Sequence, residues 1–292
     1  MKVAVYGKQF QEEVAPFVLE LFTELEKAQM EILVYEPFYD FLSQQSNLNL
    51  FLNTFNTYEE LKNDIDLFVS VGGDGTILDA TTLIRDSGIP IIGVNTGRLG
   101  FLADIAKHQI PKTIKQLVNK RFSIDERTLL KLETSEPIFG DLNFALNEVT
   151  ISRKDTTSMI TITTYINDQY LNSYWADGLI IATPTGSTGY SLSCGGPIVM
   201  PGSDNFIITP IAPHNLNVRP LVISDEFEIK VKVEGRANQF LVALDSRIQT
   251  IDAGIELTIK KEGFKINMIE TETQDFASTL RNKLLWGLDK RN

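Results

Sequence analysis

The chain has 292 residues, enough for roughly two domains of about 150 residues that each bury a core. With 43% hydrophobic residues, 22% charged residues and a single cysteine, Cys194, the composition is typical of a globular protein without an intrachain disulfide. The formal net charge of −11, from 27 Lys and Arg against 38 Asp and Glu, argues against nucleic-acid binding, which would need a basic face.

The sequence shows no membrane or secretion signal. No segment approaches the roughly 20 apolar residues that cross a bilayer, and Met1 to Gly7 lacks the apolar core of a secretory signal. We therefore expect a cytoplasmic protein with no membrane partner.

The first hundred residues alternate between strand and helix patterns. Strands are predicted at Lys2 to Tyr6, Ile32 to Tyr35, Leu67 to Val71 and Pro90 to Val94. Helices are predicted at Val14 to Ala28 and Thr76 to Asp86. This alternation predicts an α/β domain built on parallel strands.

Beyond about residue 125 the pattern changes to alternation with a period of two. It is seen at Met159 to Thr163, Phe227 to Val233 and Leu257 to Lys261, and it predicts a mainly β region. Asn167-Asp168 and Glu262-Gly263 have the composition of hairpin turns. A helical stripe returns from Gln274 to Leu288.

A glycine-rich turn follows the strand that ends at Val71. Its residues are Gly72, Gly73, Asp74, Gly75 and Thr76. Glycines let a phosphate approach the main chain at a helix N-terminus. Because a lone carboxylate repels phosphate, Asp74 is better explained by a hydroxyl that must lose its proton, or by a metal ion that bridges phosphates. The alternative is a tight turn in which Asp74 caps the helix.

A second polar segment, Asn95 to Leu102, follows the strand that ends at Val94 and opens at the same edge of the sheet. Arg98 offers a forked donor for phosphate, and Asn95 stands at the start of the segment. A plain loop with a solvated arginine explains it equally well.

Asn147-Glu148 interrupts the apolar stretch from Leu142 to Ile151. An amide beside a carboxylate can bond base and ribose edges. The alternative is one exposed edge residue followed by one turn residue.

The longest polar constellation runs from Asp177 to Pro197, where an apolar strand leads into glycines and hydroxyls around Tyr190. Such a run can follow a nucleotide with N–H and O–H donors, although turn chemistry alone explains part of it. Cys194 is expected to be a small buried filler and His214 a structural residue, since no base accompanies the cysteine in sequence.

Taken together, these segments resemble the NAD kinase family, which phosphorylates the 2′-hydroxyl of the adenosine ribose of NAD to make NADP. The resemblance spans nearly the whole chain and includes the run from Thr209 to Leu221. It implies an α/β N-terminal domain, a mainly β C-terminal domain and a C-terminal helix that returns to the first domain. The expected limits are residues 1–124 with 274–292, and residues 125–273 for the NAD-binding domain.

The resemblance also implies roles for individual residues. Asp74 would be the general base, within the nucleotide-binding turn of Gly72, Gly73, Gly75 and Thr76. Asn147 and Glu148 would hold adenosine and ribose groups, and Asp177 would meet the nicotinamide end. The remaining residues expected to bind nucleotide are Asn95, Arg98, Thr185, Thr188, Gly189, Tyr190, Ser191, Leu192 and Ser193.

For the family, the phosphoryl donor is ATP, or polyphosphate in some members, used with Mg²⁺ or a similar divalent cation. Members form homodimers or homotetramers, so the same is expected here. The metal ligands are unknown from the sequence.

Three positions depart from the family pattern. Asp79 stands where a basic or small residue is usual, and Trp175 stands where Lys or Arg is common. Asp245-Ser246-Arg247 stands where the family usually has aspartate-glycine-glutamine. The resemblance would otherwise assign a contribution from a partner subunit to this position, and the departure puts that contribution in doubt.

Two other functions remain open. One is a lipid or sugar kinase with a similar glycine-aspartate turn, such as a diacylglycerol kinase, a sphingosine kinase or a phosphofructokinase. The other is a non-catalytic NAD-binding sensor.

Overall fold

The structure is a computed structural model that describes residues 1–45, 52–62, 64–97, 99–103, 105–154, 158–236, 238–272 and 275–286. The chain divides into two compact units. The first comprises Met1–Glu126 and Ile266–Asn292, and the second Arg127–Lys265. We keep the domain limits expected from the sequence, 1–124 with 274–292 and 125–273, as a proposal.

The elements are numbered in chain order. The strands are β1 (Lys2–Gly7), β2 (Glu31–Tyr35), β3 (Asn53–Phe55), β4 (Leu67–Gly72), β5 (Ile91–Asn95), β6 (Ile105–Ala106), β7 (Phe122–Glu133), β8 (Phe144–Ala145), β9 (Glu148–Arg153), β10 (Ile160–Ile166), β11 (Gln169–Ala176), β12 (Gly178–Ala182), β13 (Asn205–Ile211), β14 (Leu221–Ser224), β15 (Ile229–Gly235), β16 (Gln239–Leu244), β17 (Arg247–Asp252) and β18 (Glu256–Thr271). The helices are α1 (Ala15–Lys27), α2 (Glu36–Ser43), α3 (Tyr58–Leu61), α4 (Asp74–Ile84), α5 (Ile110–Val118), α6 (Tyr190–Ser193) and α7 (Phe276–Leu284).

The first unit is built on a parallel sheet in the order β3-β2-β1-β4-β5, and β6 extends it beside β5. All residues of β5 and the first five of β4 are buried. Continuous apolar strands of this kind belong in a parallel sheet whose faces are both covered. The predicted α/β domain is confirmed, and the carboxyl ends of β4 and β5 lie side by side, with Gly72 paired to Asn95.

Two helices differ from the sequence prediction in their ends. Helix α4 begins at Asp74 instead of Thr76, because the extended Gly73 takes the N-cap position. Helix α7 covers Phe276–Leu284 and ends at Leu285 in the left-handed conformation, so it is shorter than predicted. The predicted end residues Gln274 and Leu288 lie outside the described residues.

The second unit is mainly β, as predicted. Four antiparallel strands follow the order β11-β10-β15-β18, and a further antiparallel sheet follows the order β14-β13-β12-β9-β16-β17. Buried and less buried residues alternate along β10 and along the first half of β15. This alternation is the pattern of strands that pack one face on a core.

The two predicted hairpin turns have different outcomes. Asn167-Asp168 connects β10 to β11 with φ of 48° and 63°, as a two-residue hairpin turn requires. The turn predicted at Glu262-Gly263 is wrong, because β18 runs without a break from Glu256 to Thr271. The alternating burial that resumes after Gly263 outweighs the local turn composition.

Helix α7 packs within the first unit. Its N-cap Asp275 accepts a hydrogen bond from the Ser278 N–H at 2.6 Å, which defines where the helix begins. The ring of Phe276 lies 6.4 Å from that of Phe101, and Lys283 Nζ lies 5.5 Å from the centroid of the Phe101 ring. The C-terminal helix therefore rests on the segment that follows β5, as the resemblance implied.

Within the described ranges, no helix combines the length and apolar character needed to cross a membrane.

Candidate active site

Asp74 is the first residue of α4, directly beyond the carboxyl end of β4. The first N–H groups of a helix have no partner within the helix, and the helix dipole makes this end favourable for anions. A Cβ built on Gly73 or on Gly75 meets nothing within 4 Å, so the main chain on both sides of Asp74 is open. This turn can therefore receive a phosphate close to the backbone.

The Asp74 carboxylate is held by three backbone N–H groups. Phe101 N donates to Oδ2 at 2.9 Å, while Leu102 N and Ala103 N donate to Oδ1 at 3.0 and 2.9 Å. Asp74 is thus not the cap of its own helix but the acceptor for a segment some 27 residues later in the chain. Such contacts fix the direction in which the carboxylate points.

Gly100 makes this arrangement possible. A Cβ on Gly100 would lie 1.8 Å from Asp74 Oδ1 and 2.6 Å from its Cγ. No other residue type fits there without moving the carboxylate or the 101–103 segment. Gly100 belongs to the polar segment Asn95 to Leu102, but local patterns in the sequence gave no sign that it faces Asp74.

Asn95 braces the same segment from β5. It is 2% exposed, its Nδ2 donates to Ala103 O at 3.1 Å, and its Oδ1 accepts from Gly97 N at 2.7 Å. Both ends of its amide are thereby engaged with the backbone. Arg98, the expected phosphate donor group in this loop, lies outside the described residues.

Thr76 and Gly72 pack against each other. A Cβ on Gly72 would lie 2.1 Å from Thr76 Oγ1, so the glycine is required by close approach, and Thr76 is 8% exposed. Asp79, one of the departures, forms an ion pair with Lys8 just beyond β1. The carboxylate that departs from the family pattern is therefore paired with a cation.

In the second unit, Asn147 and Glu148 stand at the start of β9. Asn147 Oδ1 and Glu148 Oε2 are buried and make no hydrogen bond within the part of the chain that the structure describes. Buried polar atoms are nearly always satisfied, so these two oxygens call for a partner that the chain itself does not supply.

The burial of Glu148 changes its acidity. Desolvation, followed by the neighbouring charge of Asp245, raises the pKa of Glu148 to about 8, and a hydrogen bond from the Tyr190 backbone opposes the shift. The side chain can therefore change charge near neutral pH. A carboxyl group with these properties is typical of a functional site.

The turn after β12 packs directly on Asn147 and Glu148. Thr183 Oγ1 donates to Leu146 O at 2.6 Å, and Thr183 N donates to Asn147 O at 2.9 Å. A Cβ on Gly186 would lie 2.0 Å from Asn147 O, and one on Gly189 would lie 3.0 Å from Glu148 Oε2. Two of the predicted nucleotide-binding segments are thus one cluster.

Several hydroxyls of this turn bond within the protein. Arg127 Nη1 donates to Thr185 Oγ1 at 3.3 Å, Thr188 Oγ1 donates to Thr185 O at 3.1 Å, and Ser191 Oγ pairs with Thr209 Oγ1 at 2.8 Å. These bonds hold the turn in shape. Tyr190 and Ser193 are exposed and Leu192 is half-buried, so their side chains can reach a ligand.

Trp175 lies near the end of β11, and Asp177 connects β11 to β12 in the same unit. Asp177 Oδ2 is 3.0 Å from Arg153 Nη2. Trp175 is half-exposed, and its ring contacts that of His214 in a tilted arrangement, with centroids 4.7 Å apart and an interplanar angle of 56°. The backbone N–H of His214 donates to the Trp175 carbonyl at 2.9 Å. These contacts fit the structural role expected for His214.

Cys194 is half-buried against Ile180 and Ala182. Burial raises the pKa of its thiol, which disfavours the thiolate. The expectation of a small filler residue fits this environment.

Within the described ranges, no three His, Cys, Asp or Glu side chains come together as a metal-ligand group. The described side chains therefore do not identify a ligand set for a resident cation, and the divalent metal stays a prediction.

Comparison with protein-family models gives two matches that follow one another along the chain. Residues 4–122 match the ATP-NAD kinase N-terminal domain, and residues 146–271 match the ATP-NAD kinase C-terminal domain.

Curated relatives match over the full length. The NAD kinase of Flavobacterium psychrophilum is 53% identical over 294 residues, which covers 100% of both chains. The NAD kinase of Flavobacterium johnsoniae is 51% identical and that of Bacteroides fragilis 44% identical, again over 100% of both chains.

Two solved structures share the fold. An NAD kinase from Archaeoglobus fulgidus in complex with ATP is 29% identical, has a TM-score of 0.75, and is matched over 97% of each chain. Yeast NADH kinase complexed with NADH has a TM-score of 0.85 at 24% identity, over 98% of this chain and 88% of that one.

Proposed function

The chain belongs to the NAD kinase family, and from this premise we propose that it transfers the γ-phosphoryl group of ATP to the adenosine-ribose 2′-hydroxyl of NAD, with Asp74 as general base. One observation carries the assignment of the base. The Asp74 carboxylate is fixed by three N–H groups at the open N-terminus of α4, beside glycines that leave the backbone accessible.

The hydrogen bonds leave Asp74 one acceptor position. A carboxylate offers about two lone-pair positions on each oxygen. Among the described residues, Oδ1 accepts from Leu102 and Ala103, whereas Oδ2 accepts from Phe101 alone. The free position on Oδ2 is available to a ribose hydroxyl, which would donate its proton there as the oxygen attacks phosphorus.

The open backbone at Gly73 and Gly75 supports binding of the donor phosphates. Phosphoryl transfer depends mainly on placing the two oxygens in line and on stabilising the charge of the transferred group. N–H groups at a helix N-terminus serve both purposes. Mg²⁺ or a similar cation would add charge neutralisation, and we derive no step through it because the described residues form no ligand set for it.

Asn147, Glu148, Tyr190 and Asp177 are proposed as the NAD contacts of the second unit. The buried oxygens of Asn147 and Glu148 lack partners in the described chain, and ribose and adenine offer the N–H and O–H donors that would satisfy them.

Asn147→Ala is expected to weaken NAD binding by about 10-fold or more, because the ligand then loses a hydrogen bond inside a desolvated site. Calorimetric titration with NAD measures this. Asn238→Ala, which removes an exposed amide of the same unit, is the control and is expected to bind NAD normally. Equal affinities in the wild type and in Asn147→Ala would contradict the assignment.

Glu148→Gln is expected to change how stability depends on pH. The folded pKa of about 8 lies above the ordinary value of 4.5, so the wild type loses stability as the pH rises from about 4.5 to about 8. Glutamine does not ionise. The melting temperature of the variant relative to the wild type should therefore be higher at about pH 8.5 than at about pH 5.

Thermal denaturation at several pH values tests this expectation, with the exposed Glu234→Gln as control. A relative melting temperature for Glu148→Gln that does not change with pH would show that Glu148 ionises normally in the native state.

The activity itself is tested by incubating the purified chain with NAD, ATP and Mg²⁺ and measuring NADP with an NADP-specific dehydrogenase. NADP formation is expected with ATP, and replacing ATP by polyphosphate establishes the donor. NAD binding without NADP formation would favour a non-catalytic sensor. ATP consumption with a lipid or sugar acceptor alone would favour another kinase.

A cytoplasmic location and a homodimeric or homotetrameric assembly are part of the proposal. The assembly rests on the family resemblance, and neither the location nor the assembly enters the mechanism.

A further inference from the structure

The turn between β16 and β17 makes an unusual set of contacts. Asp245 opens this turn with φ of 54°, a conformation that non-glycine residues seldom adopt. Its own N–H donates to Glu148 O at 3.0 Å. The turn therefore approaches the start of β9, where Asn147 and Glu148 lie.

The Asp245 carboxylate accepts three backbone hydrogen bonds. Leu146 N donates to Oδ2 at 2.9 Å, while Asn147 N and Glu148 N donate to Oδ1 at 2.8 and 3.0 Å. Burial raises the pKa of Asp245, and the three N–H groups oppose this by stabilising the ionised form. A charged acceptor makes strong bonds in such a setting.

Arg247, two residues later, holds the same stretch from the other side of the backbone. Its guanidinium donates to Leu142 O and to Phe144 O, and it lies 5.5 Å from the centroid of the Phe144 ring. One hairpin thus engages N–H groups at 146, 147 and 148 and carbonyls at 142, 144 and 148.

Among the described residues, one oxygen of each of the two side chains beyond this backbone has no hydrogen-bond partner. Asn147 Oδ1 and Glu148 Oε2 are the buried oxygens described above. The six hydrogen-bonded backbone groups restrain the main chain that carries these two side chains. The geometry points to Asp245 and Arg247 as a clamp that positions Asn147 and Glu148 for the dinucleotide, an inference that rests on the proposed NAD binding.

This role differs from the one considered on sequence grounds. Asp245-Ser246-Arg247 departs from the family pattern, and the contribution in question there was to a partner subunit. The clamp acts inside the chain that carries Asn147 and Glu148. It makes Asp245 a positioning residue, since its carboxylate acts through the backbone of those residues.

The charge of Asp245 affects the pKa of Glu148, so the pH dependence of NAD binding can reveal its role. A purely structural contact would not change this pH dependence. Among the groups that face Glu148, Asp245 raises its pKa and the Tyr190 backbone lowers it, while Cys194 and the Tyr190 side chain lie near enough to interact with its charge. Ribose hydroxyls can donate to either form of Glu148, and the ionised carboxylate is the stronger acceptor. NAD affinity should then rise with pH, with a midpoint near 8 in the wild type.

The decisive variant is Asp245→Asn, which keeps the side-chain shape but removes the charge and turns one acceptor into a donor. Calorimetry with NAD alone should show affinity reduced by about 10-fold or more, because the binding oxygens are no longer held in place. The pH midpoint of NAD binding should move below that of the wild type, because a negative neighbour of Glu148 is gone. ATP affinity should change by less than about twofold, a small effect on this scale.

Two further variants complete the experiment. Asp252→Asn, an exposed carboxamide substitution in the same hairpin, is the control and should leave NAD affinity and its pH midpoint unchanged. Arg247→Met keeps the Asp245 carboxylate and should weaken NAD binding by a smaller factor, about threefold to tenfold. If circular dichroism shows that Asp245→Asn is not folded, Arg247→Met provides the test.

Folded variants of Asp245 and Arg247 that bind NAD as the wild type does, with the same pH midpoint, would overturn the clamp. Equal losses of NAD and ATP affinity would also overturn it, since that is the result of a general structural defect. Because NAD binding is measured without a phosphoryl donor, a wild type that binds NAD but makes no NADP refutes the kinase assignment and leaves this inference standing.

Discussion

Asp74→Asn is expected to lower kcat by about 10²–10⁴-fold, the contribution typical of a general base. The amide has nearly the shape of the carboxylate but does not take up a proton. NAD and ATP affinities should fall much less, because the helix N-terminus and the NAD contacts of the second unit are unchanged. Steady-state kinetics with each substrate varied separates the two effects.

The substitution also touches the structure, since three N–H groups donate to Asp74. An asparagine amide nitrogen would face at least one of these donors. Thermal denaturation should therefore accompany the kinetics. Asp79→Asn is a useful comparison because it makes the same chemical change in α4 at a residue that pairs with Lys8. An Asp74→Asn enzyme that keeps most of the wild-type kcat would remove Asp74 from the chemical step.

Gly100→Ala is expected to lower kcat by about 10²-fold without removing any functional group. The added methyl would lie 1.8 Å from Asp74 Oδ1, so either the carboxylate or the 101–103 segment must move. A displacement of about 1 Å at a reacting group can cost about 10²-fold in rate. Kinetic assays on the purified variant measure the loss.

Gly97→Ala is the matched control for Gly100→Ala. It lies in the same loop, and its Cβ would meet nothing within 4 Å. The same increase in side-chain size should therefore leave kcat near the wild-type value. Similar losses in both variants would mean that the loop tolerates no side chain for a general reason, and the specific contact with Asp74 would not explain the effect.

The architecture of the first unit could be predicted because it depends on local patterns. The apolar runs at Leu67 to Val71 and Pro90 to Val94 are short, continuous and followed by glycines, and they form β4 and β5. The glycine turn with Asp74 was visible for the same reason. The predicted start of α4 at Thr76 was two residues too late. The helix begins at Asp74, because Gly73 is its N-cap.

The contacts that shape the site could not be predicted, because they join distant parts of the chain. Asp74 meets Phe101 across 27 residues, and Asp245 meets Asn147 across 98. No spacing rule in a single sequence links such positions. The turn error at Glu262-Gly263 has a related cause, since β18 pairs with β15 before this point, at Glu256 to Ile259, and with β5 after it, at Met268. The strand runs extended between these distant partners although the local composition favoured a reversal.

The hydroxyls after β12 show how composition can mislead about roles. Thr183 and Ser191 suggested ligand donors by their density, but their hydroxyls bond to Leu146 O and to Thr209. Much of this hydroxyl content serves to hold the turn. The side chains that remain exposed, such as Tyr190, are the better candidates for contact with NAD.

The contact of α7 with Phe101 has a consequence for biosynthesis. Phe276 and Lys283 reach the ring of a residue whose N–H supports Asp74. A ribosome releases these late residues long after it has made the glycine turn. The segment that supports the proposed catalytic carboxylate therefore gains its packing against α7 only after translation has passed that helix. A product that ended before α7 would carry every predicted nucleotide-binding motif but would lack this packing behind Phe101.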